Sequence, residues 1–197
     1  MNLPMILSVV VCSVLAGAMV TWTGYYTPFM ILSSIIMTTG AGLLTLLEPD
    51  TNHKEWIGYQ VIFGVGLGLG IQQPMIVVQT ALAAGDIPSA TAINMFAQTL
   101  GGALFVSVGQ NVWSNQLVNN LAESVPPIEI AKVNSAGADA VRDVVSKEWL
   151  PQVLKAYSDS ITECFFPGVA MGGLSIIGTL VIEWISVKGK KIEMGAI

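Results

Sequence analysis

Long stretches without a charged residue are the feature that most constrains how this chain can fold. No Asp, Glu, Lys or Arg occurs before Glu48, and none occurs in 56–85, 87–122 or 164–182. Soluble domains carry about 25% charged residues, whereas this chain carries 11%. A transmembrane helix needs about 20 apolar residues, so each stretch is long enough to cross a bilayer. The sequence therefore predicts an all-α integral membrane protein, with the lipid bilayer as its first partner.

Turn-forming residues divide the apolar stretches into five predicted transmembrane helices. The segment from Gly24 to Pro28 splits the first stretch, because Gly and Pro interrupt helices and the residue before Pro is disfavoured in a helix. Asp86 and Pro88 suit the start of a later helix. The predicted spans are about 3–22, 28–47, 56–82, 89–112 and 162–186, with a loop at 113–160. The predicted transmembrane domain is 1–187, followed by a C-terminal tail at 188–197.

The predicted loop has apolar residues at near-helical spacing. They include Val141, Val144, Val145, Trp149 and Val153, and charged residues lie between them. This spacing is typical of short amphipathic helices that lie on a membrane surface or cap a bundle, with Pro151 separating two of them. The alternative is a loosely ordered loop.

The few charged and metal-binding residue types indicate orientation and exclude some functions. Lys188, Lys190 and Lys191 follow the last span, and basic residues are enriched on the cytoplasmic side of membranes, so the C-terminus is predicted to be cytoplasmic. No basic patch suggests a nucleic-acid partner. Cys12 and Cys164 lie in or beside apolar stretches and show no metal-ligand spacing. We therefore predict no metal and no cofactor.

The third span contains a run of alternating glycines. Gly64 and Gly68 form one G-x-x-x-G pair, Gly66 and Gly70 form another, and Pro74 follows them. Small residues one helical turn apart let a second helix approach closely in lipid. Pro74 lacks a backbone N–H, which predicts a bend. These five residues are predicted to serve helix packing and bending, either as packing alone or as part of a flexible gating helix.

Amide side chains inside the third and fourth spans are the predicted substrate-binding residues. Gln72 and Gln79 fall at i and i+7 in the third span, and Asn94 and Gln98 fall at i and i+4 in the fourth. An amide in hydrocarbon is costly without a partner, so such side chains face a bundle interior or a wet cavity. They either join helices or line a cavity for an amphipathic solute. No nucleophile–base arrangement occurs, so the chain is not predicted to be an enzyme.

Several short segments carry a resemblance to a known family. They are Gly24-Tyr25-Tyr26-Thr27-Pro28, Thr39-Gly40-Ala41-Gly42-Leu43-Leu44, Trp56-Ile57-Gly58-Tyr59-Gln60, Ala97-Gln98-Thr99-Leu100-Gly101-Gly102-Ala103 with Gln110-Asn111, and Leu154-Lys155-Ala156-Tyr157. With these segments the chain resembles the major facilitator superfamily. Within it, the chain is most similar to the fungal-type fourteen-span drug:proton antiporters, which include multidrug and toxin efflux pumps.

The resemblance implies both an architecture and a function. The chain would correspond to the last five spans of such a transporter, which form a partial C-terminal bundle. The N-terminal half of the transporter is absent here and would be the partner of this bundle. The implied function is export of small amphipathic organic compounds at the plasma membrane, coupled to protons in the full-length protein. The alternative is a non-transporting truncated membrane protein, or a subunit that only packs against other helices.

Overall fold

The chain is almost entirely helical where its structure is described. The computed structural model describes residues 3–48, 51–126 and 145–187. Within these ranges the helices are α1 (Leu3–Thr23), α2 (Thr27–Leu44), α3 (His53–Gly70), α4 (Gln73–Ala81), α5 (Ile87–Ser124), α6 (Leu150–Glu163) and α7 (Phe166–Val181). No β-strand occurs in these ranges beyond one isolated bridge between Tyr25 and Ser186.

Five helical segments of the described chain are long and apolar enough to cross a membrane. They are Leu3–Thr23, Thr27–Leu44, His53–Ala81, Ile87–Ser124 and Leu150–Val181. The third combines α3 with α4, and the fifth combines α6 with α7. The predicted all-α class with five helices capable of spanning a bilayer is thereby confirmed.

Helical structure extends into the region that the sequence assigned to the loop 113–160. Helix α5 continues to Ser124, and α6 occupies Leu150–Glu163 with Pro151 in its first turn. The extension of α5 is stabilised by packing, because its Leu117 and Leu121 form a buried cluster with Val153 and Ala156 of α6. The charge pattern alone could not show this contact. Residues 127–144, which include Val141 and Val144, lie outside the described residues, as does the tail at 188–197.

The most extensive helix contacts place α3 between α1 and α2, with α7 packed against α2. Helix α5 packs mainly against α6 and reaches the first group through α4. The described chain therefore contains a closely packed group, α1–α2–α3–α7, and a second pair, α5–α6.

The third apolar segment is interrupted between α3 and α4. Helix α3 ends at Gly70, and α4 begins at Gln73 with Pro74 in its first turn. Proline has no N–H to donate to the carbonyl four residues earlier, and its ring crowds that carbonyl. The interruption lies just before Pro74, at Ile71 and Gln72.

The chain that follows α7 is tied to the turn between α1 and α2. Gly24 has a φ of 83°, a left-handed conformation that glycine adopts without steric cost. The Val187 N–H donates to the Gly24 carbonyl oxygen at 2.9 Å, and the buried Tyr26 hydroxyl donates to the Glu183 carbonyl oxygen at 3.1 Å. Burial raises the pKa of Tyr26, so its hydroxyl stays protonated. We call these contacts the C-terminal clasp.

Candidate functional site

A cavity of about 470 Å³ lies where α2, the α3–α4 interruption, α5 and α7 face one another. Its lining residues come from all four regions. They are Met30, Ser33, Ser34 and Met37 of α2, Leu67, Gly70, Ile71 and Pro74 around the interruption, Gln98 of α5, and Ser175 and Thr179 of α7. The interruption therefore forms part of the cavity wall, and residues far apart in sequence meet there.

Three of the lining hydroxyls are held by hydrogen bonds to the backbone. Ser33 Oγ donates to the Gly66 carbonyl oxygen at 2.7 Å. Ser175 Oγ donates to the Gly172 carbonyl oxygen at 2.7 Å, and Thr179 Oγ1 donates to the Ile176 carbonyl oxygen at 2.9 Å. The bond from Ser33 crosses between α2 and α3, whereas the other two lie within α7. These bonds fix the position of each oxygen at the cavity wall.

The cavity wall is mostly apolar, with a few hydroxyl and amide groups and no formal charge among its described lining residues. None of the described residues that line it is Asp, Glu, Lys, Arg or His. Hydroxyl and amide groups share the wall with the thioethers of Met30 and Met37 and with Leu67 and Ile71. Such a lining can hold an amphipathic solute by contact with its apolar part and hydrogen bonds to its polar part.

Only one of the four predicted substrate-binding residues lines this cavity, Gln98. Gln72 is exposed at the helix interruption, and Gln79 and Asn94 are half-buried away from the cavity lining. The predicted stripe through Gln72 and Gln79 assumed one continuous helix over 56–82. The interruption breaks the helical register immediately before Gln73, so positions on either side do not share one face.

The four predicted packing glycines contact two different helices. A Cβ at Gly64 would lie 2.6 Å from the Met5 carbonyl oxygen, and one at Gly68 would lie 2.6 Å from the Val9 carbonyl oxygen, both in α1. A Cβ at Gly66 would meet the backbone nitrogen of Met37, and one at Gly70 would meet the Ser33 hydroxyl, both in α2 (Met37, Ser33). Each G-x-x-x-G pair therefore admits a separate neighbour, and α3 fits between α1 and α2 because it lacks side chains there.

The sequence contained a signal for the α7 wall that the sequence analysis did not use. Gly172, Ser175 and Thr179 occur at i, i+3 and i+7, which places them on one face of a helix. Gly172 and Thr179 are buried, and a Cβ at Gly172 would lie 2.5 Å from Thr38 Oγ1 of α2. In the same way, the adjacent hydroxyls Ser33 and Ser34 stand out within an apolar span. Both stretches mark where α2 and α7 meet beside the cavity.

Two glutamines are buried in the third apolar segment. Gln73 is fully buried at the start of α4, and its Nε2 donates to the Leu69 carbonyl oxygen at 2.9 Å. This side-chain bond bridges the interruption, where the regular helical ladder is lost. The Oε1 atoms of Gln73 and Gln60 have no hydrogen-bond partner among the described residues.

A separate set of polar contacts joins α5 to α6. Gln116 Nε2 donates to a carboxylate oxygen of Glu163, and Asn120 Nδ2 donates to Ser160 Oγ at 3.0 Å. The Cys164 thiol lies 3.5 Å from the Gly109 carbonyl oxygen. These contacts continue the α5–α6 interface beyond its apolar cluster. No group of three His, Cys, Asp or Glu that could hold a metal ion occurs among the described residues.

Nearly the whole chain is similar to fungal membrane transporters. It is 52% identical over 192 residues to the MFS-type transporter astH of Aspergillus oryzae, which is 98% of this chain and 34% of that protein. It is 50% identical over 188 residues to the efflux pump roqT of Penicillium rubens, 95% of this chain and 35% of that protein. It is 44% identical over 193 residues to the aspyridones efflux protein of Neocamarosporium betae, 98% of this chain and 34% of that protein.

These similarities agree with the family resemblance of the sequence. Over nearly all of its length the chain is related to transporters of the major facilitator type, as its sequence motifs predicted. The chain spans about a third of the length of the curated relatives it matches. No protein-family model matches the chain. No solved structure matches it.

Proposed function

We propose that the chain forms part of a transporter that exports small amphipathic organic compounds. The observation that carries this proposal is the similarity to transporters and efflux pumps along nearly the whole chain. One of those relatives is named for the efflux of aspyridones. The identity of 44–52% extends through the helices that surround the cavity, so the same architecture would serve this chain.

The cavity supports this proposal with a place for a solute. It combines apolar surface with hydroxyl and amide groups, as an amphipathic compound requires. It also lies at an interrupted helix, and interrupted helices form substrate sites in many transporters because the interruption frees backbone groups and permits movement. Gln98, which lines the cavity, is proposed to contact the solute. Gln72, Gln79 and Asn94 are proposed to line the remainder of the pathway, outside this cavity.

The glycines of α3 are proposed to serve packing and bending during transport. Gly64 and Gly68 seat α3 on α1, Gly66 and Gly70 seat it on α2, and Pro74 accompanies the interruption. Backbone contacts of this kind are close yet lack interlocking side chains. Helix α3 is therefore proposed to keep its neighbours while α4 changes direction.

The whole transporter is proposed to act in the plasma membrane with its C-terminus in the cytoplasm and to couple export to protons. An N-terminal half would supply the second bundle, since transporters of this type rock one bundle against another. Proton coupling needs a group that gains and loses a proton. The described residues at the cavity contribute hydroxyls and an amide, which do not titrate near neutral pH, so this group is proposed to lie elsewhere in the full-length protein.

Gln98 provides a direct test of the proposed function. The full-length transporter, with this chain as its C-terminal part, would be expressed in a yeast strain that lacks its own drug efflux pumps, and the export of a panel of fluorescent organic compounds would be followed. Gln98→Leu is expected to reduce the export rate of at least one compound about fivefold at equal protein level, because an unpaired polar group on the solute costs about 1 kcal/mol or more.

The matched control is Gln110→Leu, on the same helix. Gln110 is exposed and lies outside the cavity lining, so its replacement should leave export unchanged. Equal export of every compound by wild type and Gln98→Leu would remove Gln98 from the pathway. Absence of export by the wild type would instead support the alternative, a membrane protein that only packs against other helices.

A further inference from the structure

The hydrogen-bonding pattern of the cavity wall restricts the chemistry of its ligand. A hydroxyl group has one proton to donate and two lone pairs that accept. The protons of Ser33, Ser175 and Thr179 are already committed to backbone carbonyl oxygens. The lone pairs of these three oxygens remain, so each presents an acceptor at the wall. Three of the four hydroxyls that line the cavity can therefore serve a ligand only as acceptors.

The absence of charge restricts the ligand further. The described residues that line the cavity include no acid or base. An ion that bound against this mostly apolar wall would lose part of its hydration without gaining an opposite charge from the described lining, which is unfavourable. A neutral ligand pays no such cost. The thioethers of Met30 and Met37 adapt to varied apolar skeletons, so the wall constrains the polar groups of the ligand more than its carbon framework.

We propose that this cavity selects uncharged amphipathic molecules that donate hydrogen bonds, such as phenols, alcohols and secondary amides. The Ser33, Ser175 and Thr179 oxygens accept from the donor group of the ligand, and the Gln98 amide binds a second polar group. Aromatic cations, carboxylates and molecules that only accept hydrogen bonds bind more weakly. This inference rests on the proposed function and names the class of solute that the cavity takes.

The experiment compares three naphthalenes of similar size binding to the purified chain in detergent micelles, measured by equilibrium dialysis. The probes are 1-naphthol, which donates a hydrogen bond, 1-methoxynaphthalene, which only accepts, and 1-naphthylmethylammonium, which is a cation. After subtraction of binding to empty micelles, 1-naphthol is expected to bind about fivefold or more tightly than either of the others, a ratio typical of one hydrogen bond.

A pair of variants ties this preference to the cavity. Thr179→Val removes one acceptor oxygen and keeps a branched side chain of similar shape. It should weaken 1-naphthol binding about threefold, because one hydrogen bond is lost, and leave 1-methoxynaphthalene binding unchanged. The control is Thr39→Val. Thr39 Oγ1 likewise donates to a backbone carbonyl, that of Ile35 at 2.8 Å, but Thr39 is exposed and does not line the cavity.

Two results would overturn the inference. One is binding of the methoxy compound or the cation at least as tight as that of 1-naphthol. The other is equal weakening by Thr179→Val and Thr39→Val. Neither result depends on transport. If cells show no export while the purified chain keeps its donor preference, the proposed function fails and the solute class stands. If export persists and the preference is absent, the solute class fails alone.

Discussion

Helices α3 and α5 are both long and apolar, yet they are held by different means. Helix α3 is inserted between α1 and α2 through four glycines, of which three lie against backbone atoms of these neighbours and Gly70 lies against the Ser33 side chain. Helix α5 buries only Leu117 and Leu121, and both lie in the part that packs on α6. The Trp113 and Tyr157 rings add a contact with centroids 6.2 Å apart. The packing of α3 therefore depends on glycines, which lack side chains, whereas the packing of α5 depends on large apolar side chains.

We attribute the difference to the solvent expected around each contact. Between helices in lipid there is little hydrophobic driving force, and association depends on close van der Waals contact, which small residues allow. The C-terminal part of α5 and α6 carry polar and charged residues beside their apolar cluster. There, removal of apolar surface from water can stabilise the contact. The two regions should therefore respond in opposite ways to added and removed side-chain atoms.

The largest effect is expected from adding one methyl group to α3. In Gly66→Ala the new Cβ would meet the backbone of Met37, which cannot move aside without shifting α2. We expect a loss of about 3 kcal/mol in the free energy of unfolding, at the upper end for overpacking. The measurement is SDS-induced unfolding of the purified chain in mixed micelles, followed by circular dichroism.

The control for that variant is Gly102→Ala in α5. A Cβ at Gly102 would have no atom within 4 Å among its described surroundings. Alanine is favoured over glycine in a helix by about 1 kcal/mol, so Gly102→Ala should leave stability unchanged or raise it. Similar losses in the two variants would show that the proposed contrast between α3 and α5 is wrong.

An intermediate effect is expected from removing atoms at the α5–α6 interface. Val153 is fully buried in the apolar cluster, and Val153→Ala should cost about 2 kcal/mol by loss of packing. Hydrogen exchange should then increase in α6 and the end of α5, while α1, α2 and α3 keep their protection. The exposed Val118 of α5 is the matched position, and Val118→Ala should change little. Uniform loss of protection would contradict two separately stabilised regions.

The smallest effect concerns the C-terminal clasp, which uses neither glycine packing nor an apolar cluster alone. Tyr26→Phe removes the hydroxyl that donates to the Glu183 carbonyl oxygen and should cost about 1 kcal/mol. Exchange of the Val187 amide hydrogen, which is bonded to Gly24, should become faster. The exposed Tyr25 joins the bridge to Ser186 through its backbone, so Tyr25→Phe should have no such effect.

The pH dependence of the clasp follows from the pKa of Tyr26. Burial raises this pKa above the ordinary value of 10.0, so the folded protein keeps a proton that an unfolded chain has begun to lose. The stabilisation is fully present below pH 10 and decreases as the pH rises beyond it. Exchange at Val187, corrected for intrinsic base catalysis, should accelerate above that pH in the wild type more than in Tyr26→Phe. If exchange at Val187 accelerated equally in the wild type and in Tyr26→Phe, ionisation of Tyr26 would not be the cause of clasp opening.

The sequence predicted the apolar segments more fully than their contacts. Charge-free stretches and the Gly24–Pro28 break suffice to locate helices, because both signals are local in sequence. Bilayer thickness sets the length of each apolar stretch, and the missing N–H of proline marks where a helix is interrupted. The faces of those helices depend on register. Pro74 indicated a bend, but whether Gln72 and Gln79 share a face depends on where the helix is interrupted. Similarly, the length of α5 depends on residues of α6 that lie distant in sequence.

The interruption at Ile71 and Gln72 has a mechanical consequence. Helix α3 is anchored to α1 and α2 by backbone contact, whereas Ile76 of α4 belongs to the apolar cluster of Tyr26 and Val187 at the C-terminal clasp. The two halves of one membrane crossing are thus attached to different supports. A pivot between them would change the width of the adjoining cavity without breaking either attachment, so the chain carries the elements of a hinge beside that cavity.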